Sequence, residues 1–126
     1  MDKQLRDKGL EVRREVLGAE YVDKALAGAD DFNRDFQNLV TEYCWGVCWT
    51  DQTLSRRERS ILNLGMLAAL GRMHEFRMHF GGALRNGLTP EELRAVLTQV
   101  TIYCGVPAGV EAFRAGREVL QESGAA

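Results

Sequence analysis

The chain has almost no proline. Two occur in 126 residues, Pro90 and Pro107, both where a helix would begin, so nothing interrupts a succession of helices. No segment alternates apolar and polar residues over a useful strand length, which leaves β-structure without a signal. No apolar run approaches the ~20 residues that cross a bilayer. The opening stretch MDKQLRDKGLEVRREV is charged throughout and lacks the apolar centre of an export signal, so the expectation is a cytoplasmic protein with no membrane partner. Basic excess is missing too. Sixteen Lys and Arg stand against 18 Asp and Glu, a formal charge of −2, which excludes the broad basic face of a nucleic-acid binder. Cysteine is scarce: Cys44, Cys48 and Cys104 form an odd set without a framework spacing, which reads as a reduced protein.

Helical periodicity fills the space these absences leave. Hydrophobic residues make up 45% and charged residues 27%, an ordinary balance for a folded chain of this size. Leu5, Val12 and Val16 mark a first helix ending near Gly18, and Tyr21 to Leu26 a short second one ending at Gly28. Asp30 or Asp31 can cap a third, with Phe32, Phe36, Leu39, Val40 and Tyr43 as its inward stripe. Trp45 to Thr53 breaks the pattern and reads as a loop. Ser55-Arg-Arg-Glu58 is a capping box. The helix behind it is apolar on nearly every side from Ile61 to Leu70, with Asn63 the one polar residue. Such a helix belongs in a core or a subunit interface. A fifth helix is expected from about Arg72 to Asn86, stopped by Gly87. Thr89-Pro90-Glu91-Glu92 is a second capping box, opening a sixth helix with Leu93, Val96, Leu97, Val100 and Cys104 inward. Gly105 and Pro107 reset the chain for a last helix, with Val110, Phe113 and Leu120 inward. The expected fold is all-α, six or seven helices in one domain over residues 1–126, buried in part by homo-oligomerisation.

The densest polar cluster is Gly71-Arg-Met-His-Glu-Phe-Arg-Met-His79. On one helix Arg72, Glu75 and His79 share a face, with His74 and Arg77 beside it. A carboxylate four residues before an imidazole can hold it and raise its pKa, which suits proton transfer near neutral pH. The plain alternative is a solvated face with an ion pair, but a helix that follows an all-apolar one is poorly placed for full exposure. His74 and His79 do not form a zinc site. Five residues apart, they point about 140° away from each other on a helix, so no metal is expected. Cys44-Trp-Gly-Val-Cys48 has the wrong spacing for a redox dithiol and reads as buried small side chains. Tyr43, Trp45 and Trp49 form an aromatic patch, either core filling or a pocket wall with a hydroxyl donor. Arg56, Arg57 and Arg59 read as a solvated basic face from which one guanidinium can reach a carboxylate. Phosphate loops and nucleophile elbows are absent from the sequence.

Several strings resemble the γ-carboxymuconolactone decarboxylases of the alkylhydroperoxidase-like all-α superfamily. They are Ala29-Asp-Asp-Phe-Asn-Arg-Asp-Phe36, Tyr43-Cys-Trp-Gly46, Met66-Leu-Ala-Ala-Leu-Gly-Arg72, Gly82-Ala-Leu-Arg-Asn-Gly-Leu88 and Ile102-Tyr-Cys-Gly-Val-Pro-Ala108. The resemblance runs from about Gly9 to Leu120. It implies a 4-carboxymuconolactone decarboxylase of protocatechuate breakdown (the β-ketoadipate pathway), cytoplasmic and homo-oligomeric, usually a hexamer with sites near subunit interfaces. The peroxidase branch of the superfamily carries two cysteines where this chain has Arg72 and Glu75, so its dithiol chemistry is not expected here. Related decarboxylases usually read Arg-Pro-Gly before the fourth helix. This chain reads Trp49-Thr-Asp-Gln-Thr-Leu54, which opens a second reading, a decarboxylase or isomerase of a related lactone acid.

The implied substrate is an unsaturated lactone dicarboxylate that delocalises the electrons left by CO₂ into its own carbonyl, so no cofactor is expected. His79 oriented by Glu75 is the candidate proton donor to carbon. Arg72, then Arg77, are candidates to hold the retained carboxylate. His79 or Tyr43 can donate to the lactone oxygen. Trp45 and Trp49 can supply an apolar wall for the departing carboxylate, and His74 stands at the margin of the set.

Overall fold

A computed structural model describes residues 2–125. Its elements run α1 (Lys3–Leu17), α2 (Ala19–Ala27), α3 (Arg34–Leu39), a π-helical segment (Val40–Cys48), α4 (Arg56–Leu70), α5 (Met73–Arg85), α6 (Pro90–Cys104) and α7 (Val106–Ser123). No strand occurs among the described residues, so the all-α expectation holds. The chain forms two compact units that divide between Arg56 and Arg57.

In the first unit α1 packs chiefly on the π segment. The Asp2 carboxylate caps α1 by accepting from the Gln4 and Leu5 amides, an N-cap worth ~1 kcal/mol. Two glycines let the helices close. Gly9 of α1 lies against the Thr41 carbonyl and the Gly46 backbone, and Gly46 lies against the Leu5 carbonyl. Val12, Val16, Leu17, Val22, Trp45 and Trp49 are buried around this crossing. Arg13 is buried with them and donates from Nη1 to Gln37 Oε1 and Thr41 Oγ1, both at 3.1 Å.

Four expectations fail in this unit. Trp45 to Cys48 is helical, not loop: the Trp49 amide bonds back to the Cys44 carbonyl, five residues earlier. That wider π turn spoils the 3.6-residue periodicity on which the reading relied. Asp30 does not begin α3. Its carboxylate accepts from the Phe32 and Asn33 amides in a tight turn, and the helix starts at Arg34. The stripe Phe32, Phe36, Leu39 and Tyr43 points outward in the single chain, with Phe32 96% exposed. Hydrogen bonds from Arg13 to Gln37 and Thr41 turn the opposite face of α3 and the π segment toward α1. Cys44 and Cys48 are exposed as well.

In the second unit α7 packs on α5 and α6. Leu64 and Ala68 of α4, Phe76, Phe80 and Ala83 of α5, Leu93, Leu97 and Val100 of α6, and Ala112 and Ala115 of α7 make one core with Leu88. The boundaries follow the sequence signals. Gly71, Gly87 and Gly105 adopt φ of +70°, +95° and +101°, the region in which glycine ends helices at low cost. The Thr89–Glu92 capping box forms in both directions. α4 divides its apolar surface. Leu64 and Ala68 enter the core, while Ile61, Leu62, Met66 and Leu70 are exposed. Val110 and Phe113 of α7, expected inward, also reach solvent, and so do Ile102 and Tyr103 of α6. Cys104 is exposed rather than core.

Candidate active site

The polar cluster sits where α4 hands over to α5. Gly71 ends α4, Arg72 occupies the N-cap position of α5, and the helix begins at Met73. Arg72 therefore stands just outside the helix on which the sequence reading placed it, and its side chain is exposed. His74, the second residue of α5, is exposed, while Glu75, Arg77 and His79 are half-buried. Phe76 and Phe80 anchor the opposite face of α5 in the core, fully buried and with ring centroids 6.0 Å apart. That anchoring fixes which way Glu75 and His79 project.

His79 is the group whose surroundings alter its chemistry. Burial pushes its pKa below the ordinary value, and the Glu75 charge opposes this without overcoming it. The sequence reading expected Glu75 to raise this pKa. Desolvation wins because the ring lies among the α4–α5 side chains. At neutral pH the imidazole is neutral, an electrophilic hydrogen-bond donor rather than an imidazolium acid.

A stability consequence follows with a definite sign. The unfolded chain binds a proton at His79 near pH ~6.5, whereas the folded chain binds it only at lower pH. The stability tied to neutral His79 is full above pH ~6.5 and is lost as pH falls toward the lowered value. Urea midpoints measured from pH 8 to pH 5 should therefore fall more steeply for the wild type than for H79N. Parallel curves would refute the assignment.

Three further contacts define the cluster. Asn63 of α4 places Nδ2 3.4 Å from Nδ1 of His79. Ser60, fully buried on α4, accepts from the Asn86 amide at 2.9 Å. Arg77 is drawn away from the face shared by Glu75 and His79, because its Nε and Nη2 both donate to Glu118 Oε2 of α7, at 3.2 and 3.1 Å. Sequence reasoning did not nominate Asn63. Its signal was present, as the single polar residue in an otherwise apolar helix.

The remaining nominees belong to the first unit. Trp45 and Trp49 are buried and stacked, centroids 5.0 Å apart at 26°, while Tyr43 is exposed. The loop after them is ordered by its own side chains: Asp51 Oδ1 accepts from the Thr53 amide and hydroxyl, and the Thr50 hydroxyl donates to the Gly46 carbonyl. The basic run is occupied by ion pairs, Arg56 with Glu15 and Arg57 with Glu92. Groups of three or more side chains able to hold a metal are absent among the described residues.

The second unit also carries open cavities, two of which exceed 400 Å³. One, of about 470 Å³, is lined by Phe80, Leu93, Leu97, Phe113, Arg94 and Arg117 among others. The other, of about 430 Å³, lies between α4 and α6 and is lined by Ile61, Met66, Val100 and Tyr103 among others. Neither is lined by Arg72, Glu75 or His79.

Residues 34–118 match the model of the carboxymuconolactone decarboxylase family. The chain belongs to that family. The match covers the α3–π region, α4, α5, α6 and most of α7, and so runs across both units. One relative within reach of carboxymuconolactone chemistry is the 4-carboxymuconolactone decarboxylase of Acinetobacter baylyi. It is 40% identical over 125 residues, 99% of this chain and 93% of the relative. The nitrosuccinic acid decarboxylase of Metarhizium robertsii is 37% identical over 97% of this chain and 85% of its own length. A 4-carboxymuconolactone decarboxylase sequence from Pseudomonas putida is 44% identical over 45 residues, 36% of this chain. No helix among the described residues is long and apolar enough to cross a membrane.

Proposed function

We propose that this chain is a carboxy-lyase that converts 4-carboxymuconolactone to 3-oxoadipate enol-lactone and CO₂, in the cytoplasmic breakdown of protocatechuate. The observation that carries the reading is the 40% identity to a 4-carboxymuconolactone decarboxylase over nearly the full length of both chains. The substrate carries a carboxylate and a carboxymethyl group on one carbon of an unsaturated lactone ring. Breaking the ring-carbon–carboxylate bond leaves an electron pair that spreads through the ring double bond onto the lactone carbonyl oxygen. The ring carbon next to that carbonyl then takes a proton, so the overall step consumes one proton and releases CO₂. The substrate is its own electron sink, and the chemistry asks no cofactor of the protein.

What the step does ask for is charge placement. A neutral His79 donates to the lactone oxygen as negative charge grows there. That role fits a lowered pKa better than proton delivery by an imidazolium does, and the ring carbon takes its proton from solvent. The exposed Arg72 holds the retained acetate carboxylate. Arg77 is the poorer choice because it must first leave Glu118. On the first unit, Tyr43 offers a hydroxyl donor and the stacked Trp45 and Trp49 an apolar surface. The chain assembles as a homo-oligomer, a hexamer in the form the resemblance implies. Its support is the large apolar side chains left exposed, Phe32 and Phe36 on the first unit and Leu70, Ile102 and Tyr103 on the second, which a second copy of the chain would cover. Sedimentation should give about six times the 14.1 kDa chain mass.

The nitrosuccinic acid decarboxylase relative supports a second reading, in which the substrate is a related acid. Nitrosuccinic acid shares the governing feature, since its nitro group accepts the electrons that CO₂ leaves behind. The test is CO₂ release from freshly prepared 4-carboxymuconolactone, with no cofactor added, beside the same assay on nitrosuccinate. Turnover of the lactone at ~1 s⁻¹ or faster, with enol-lactone formed, bears out the proposal. Turnover of nitrosuccinate alone replaces it with the second reading, and turnover of neither by the folded protein overturns both.

A further inference from the structure

We propose that Asn63 is a positioning residue that sets the tautomer of His79. This deepens the reading above and rests on His79 as the donor to the lactone oxygen. Asn63 is the lone polar side chain between Ile61 and Leu70 of α4, a stretch whose other members pack in the core or form the apolar surface. Its Nδ2 lies 3.4 Å from His79 Nδ1. An amide nitrogen only donates, so Nδ1 must accept, and the proton of the neutral ring resides on Nε2. A bond of this length is long for a resting site, and such contacts shorten when substrate closes the site. The consequence is chemical. A neutral imidazole offers one N–H, and the tautomer decides which nitrogen offers it. With Asn63 in place that nitrogen is Nε2, and Nδ1 is kept as acceptor.

The Glu75 charge acts on the ring from one turn back on α5. α4 brings the neutral Asn63 to Nδ1, and Arg77 and Glu118 pair between α5 and α7. Glu75 influences how readily the ring is protonated, while Asn63 decides where the single proton of the neutral ring sits. The two effects are separable by substitution.

The first test is made on the unaltered protein. Labelling with ¹⁵N-histidine, with H79N identifying the His79 signals against those of His74, should show the Nε2–H tautomer at pH 8. An Nδ1–H tautomer there would overturn the proposal outright, because the amide would then be accepting. The second test uses N63A and N63D. In N63A the two tautomers should mix and kcat should fall about 3–10-fold, the range of one neutral hydrogen bond. In N63D the carboxylate can only accept, so the neutral ring is forced to Nδ1–H and loses its Nε2 donor. The imidazolium regains that donor, and the new carboxylate raises the pKa. Activity of N63D should be present below the raised pKa and be lost as pH rises through it, while the wild type shows no such loss. A merely structural role for Asn63 would lower the activity of N63D equally at every pH, and that outcome would overturn the proposal. If H79A keeps full turnover, the donor reading fails while the NMR still decides the hydrogen bond. The two failures are therefore distinguishable.

Discussion

Replacing His79 with alanine should lower kcat for lactone decarboxylation by about 10²–10³-fold, the loss found when one donor to a developing oxyanion is removed. KM should change little, since the ground-state carbonyl oxygen carries little charge and the contact strengthens only as CO₂ leaves. Asparagine at the same position retains an N–H donor and should recover part of the loss. The pH dependence separates the two roles open to an imidazole. Burial holds His79 below its ordinary pKa, so an imidazolium acid would be scarce at neutral pH. Its rate would fall tenfold for each pH unit above that pKa. A neutral donor predicts a kcat that is level from pH 7 to pH 9 in the wild type. Steady-state kinetics of wild type, H79A and H79N across that range decide the matter. Equal activity of all three would remove His79 from the mechanism.

Much of the second unit was legible in the sequence because its signals are local. Thr89, Pro90 and Glu92 start α6 through side-chain and backbone groups three residues apart, and Gly71, Gly87 and Gly105 end helices through their own φ angles. A reading of the chain in short windows captures such features. What it misses depends on which neighbour a face meets. The stripe from Phe32 to Tyr43 is amphipathic, but amphipathicity does not say which side faces the chain's own core. Here Arg13 reaches across from α1 to Gln37 and Thr41 and turns the polar side inward. The π segment failed for another reason, since its wider turn displaces the apolar positions from α-helical spacing. The direction of the His79 pKa shift failed for a third. Spacing revealed the Glu75 charge, but desolvation depends on the packing of α4 over the ring, which sequence separation does not report. Asn63 marks the boundary between the two kinds of information. Its isolation among apolar residues was visible, and its partner sixteen residues away was not.

Adding a side chain at Gly9 should be the most damaging single change to the first unit. A Cβ built there runs into the Thr41 carbonyl oxygen and stands 2.7 Å from the Gly46 amide nitrogen and 3.0 Å from its Cα. These neighbours are backbone atoms of a helical segment, not flexible side-chain ends, so they cannot swing aside. Gly46 meets α1 in the same way from the other direction, with its Cβ position against the Leu5 carbonyl. Alanine at either position must therefore move α1 off the π segment. The loss extends beyond the glycines, because the same crossing buries Val12, Val16 and Trp45 and carries the Arg13 hydrogen bonds. Overpacking in a well-packed interior costs ~1–3 kcal/mol, occasionally more, and valine at Gly9 should reach the upper part of that range. The measurement is the urea midpoint of G9A, G9V and G46A, followed by tryptophan fluorescence. Both tryptophans, Trp45 and Trp49, lie in this unit, so their emission should shift to the red as the crossing opens. A G9V protein as stable as the wild type would mean that α1 does not cross the π segment at Gly9.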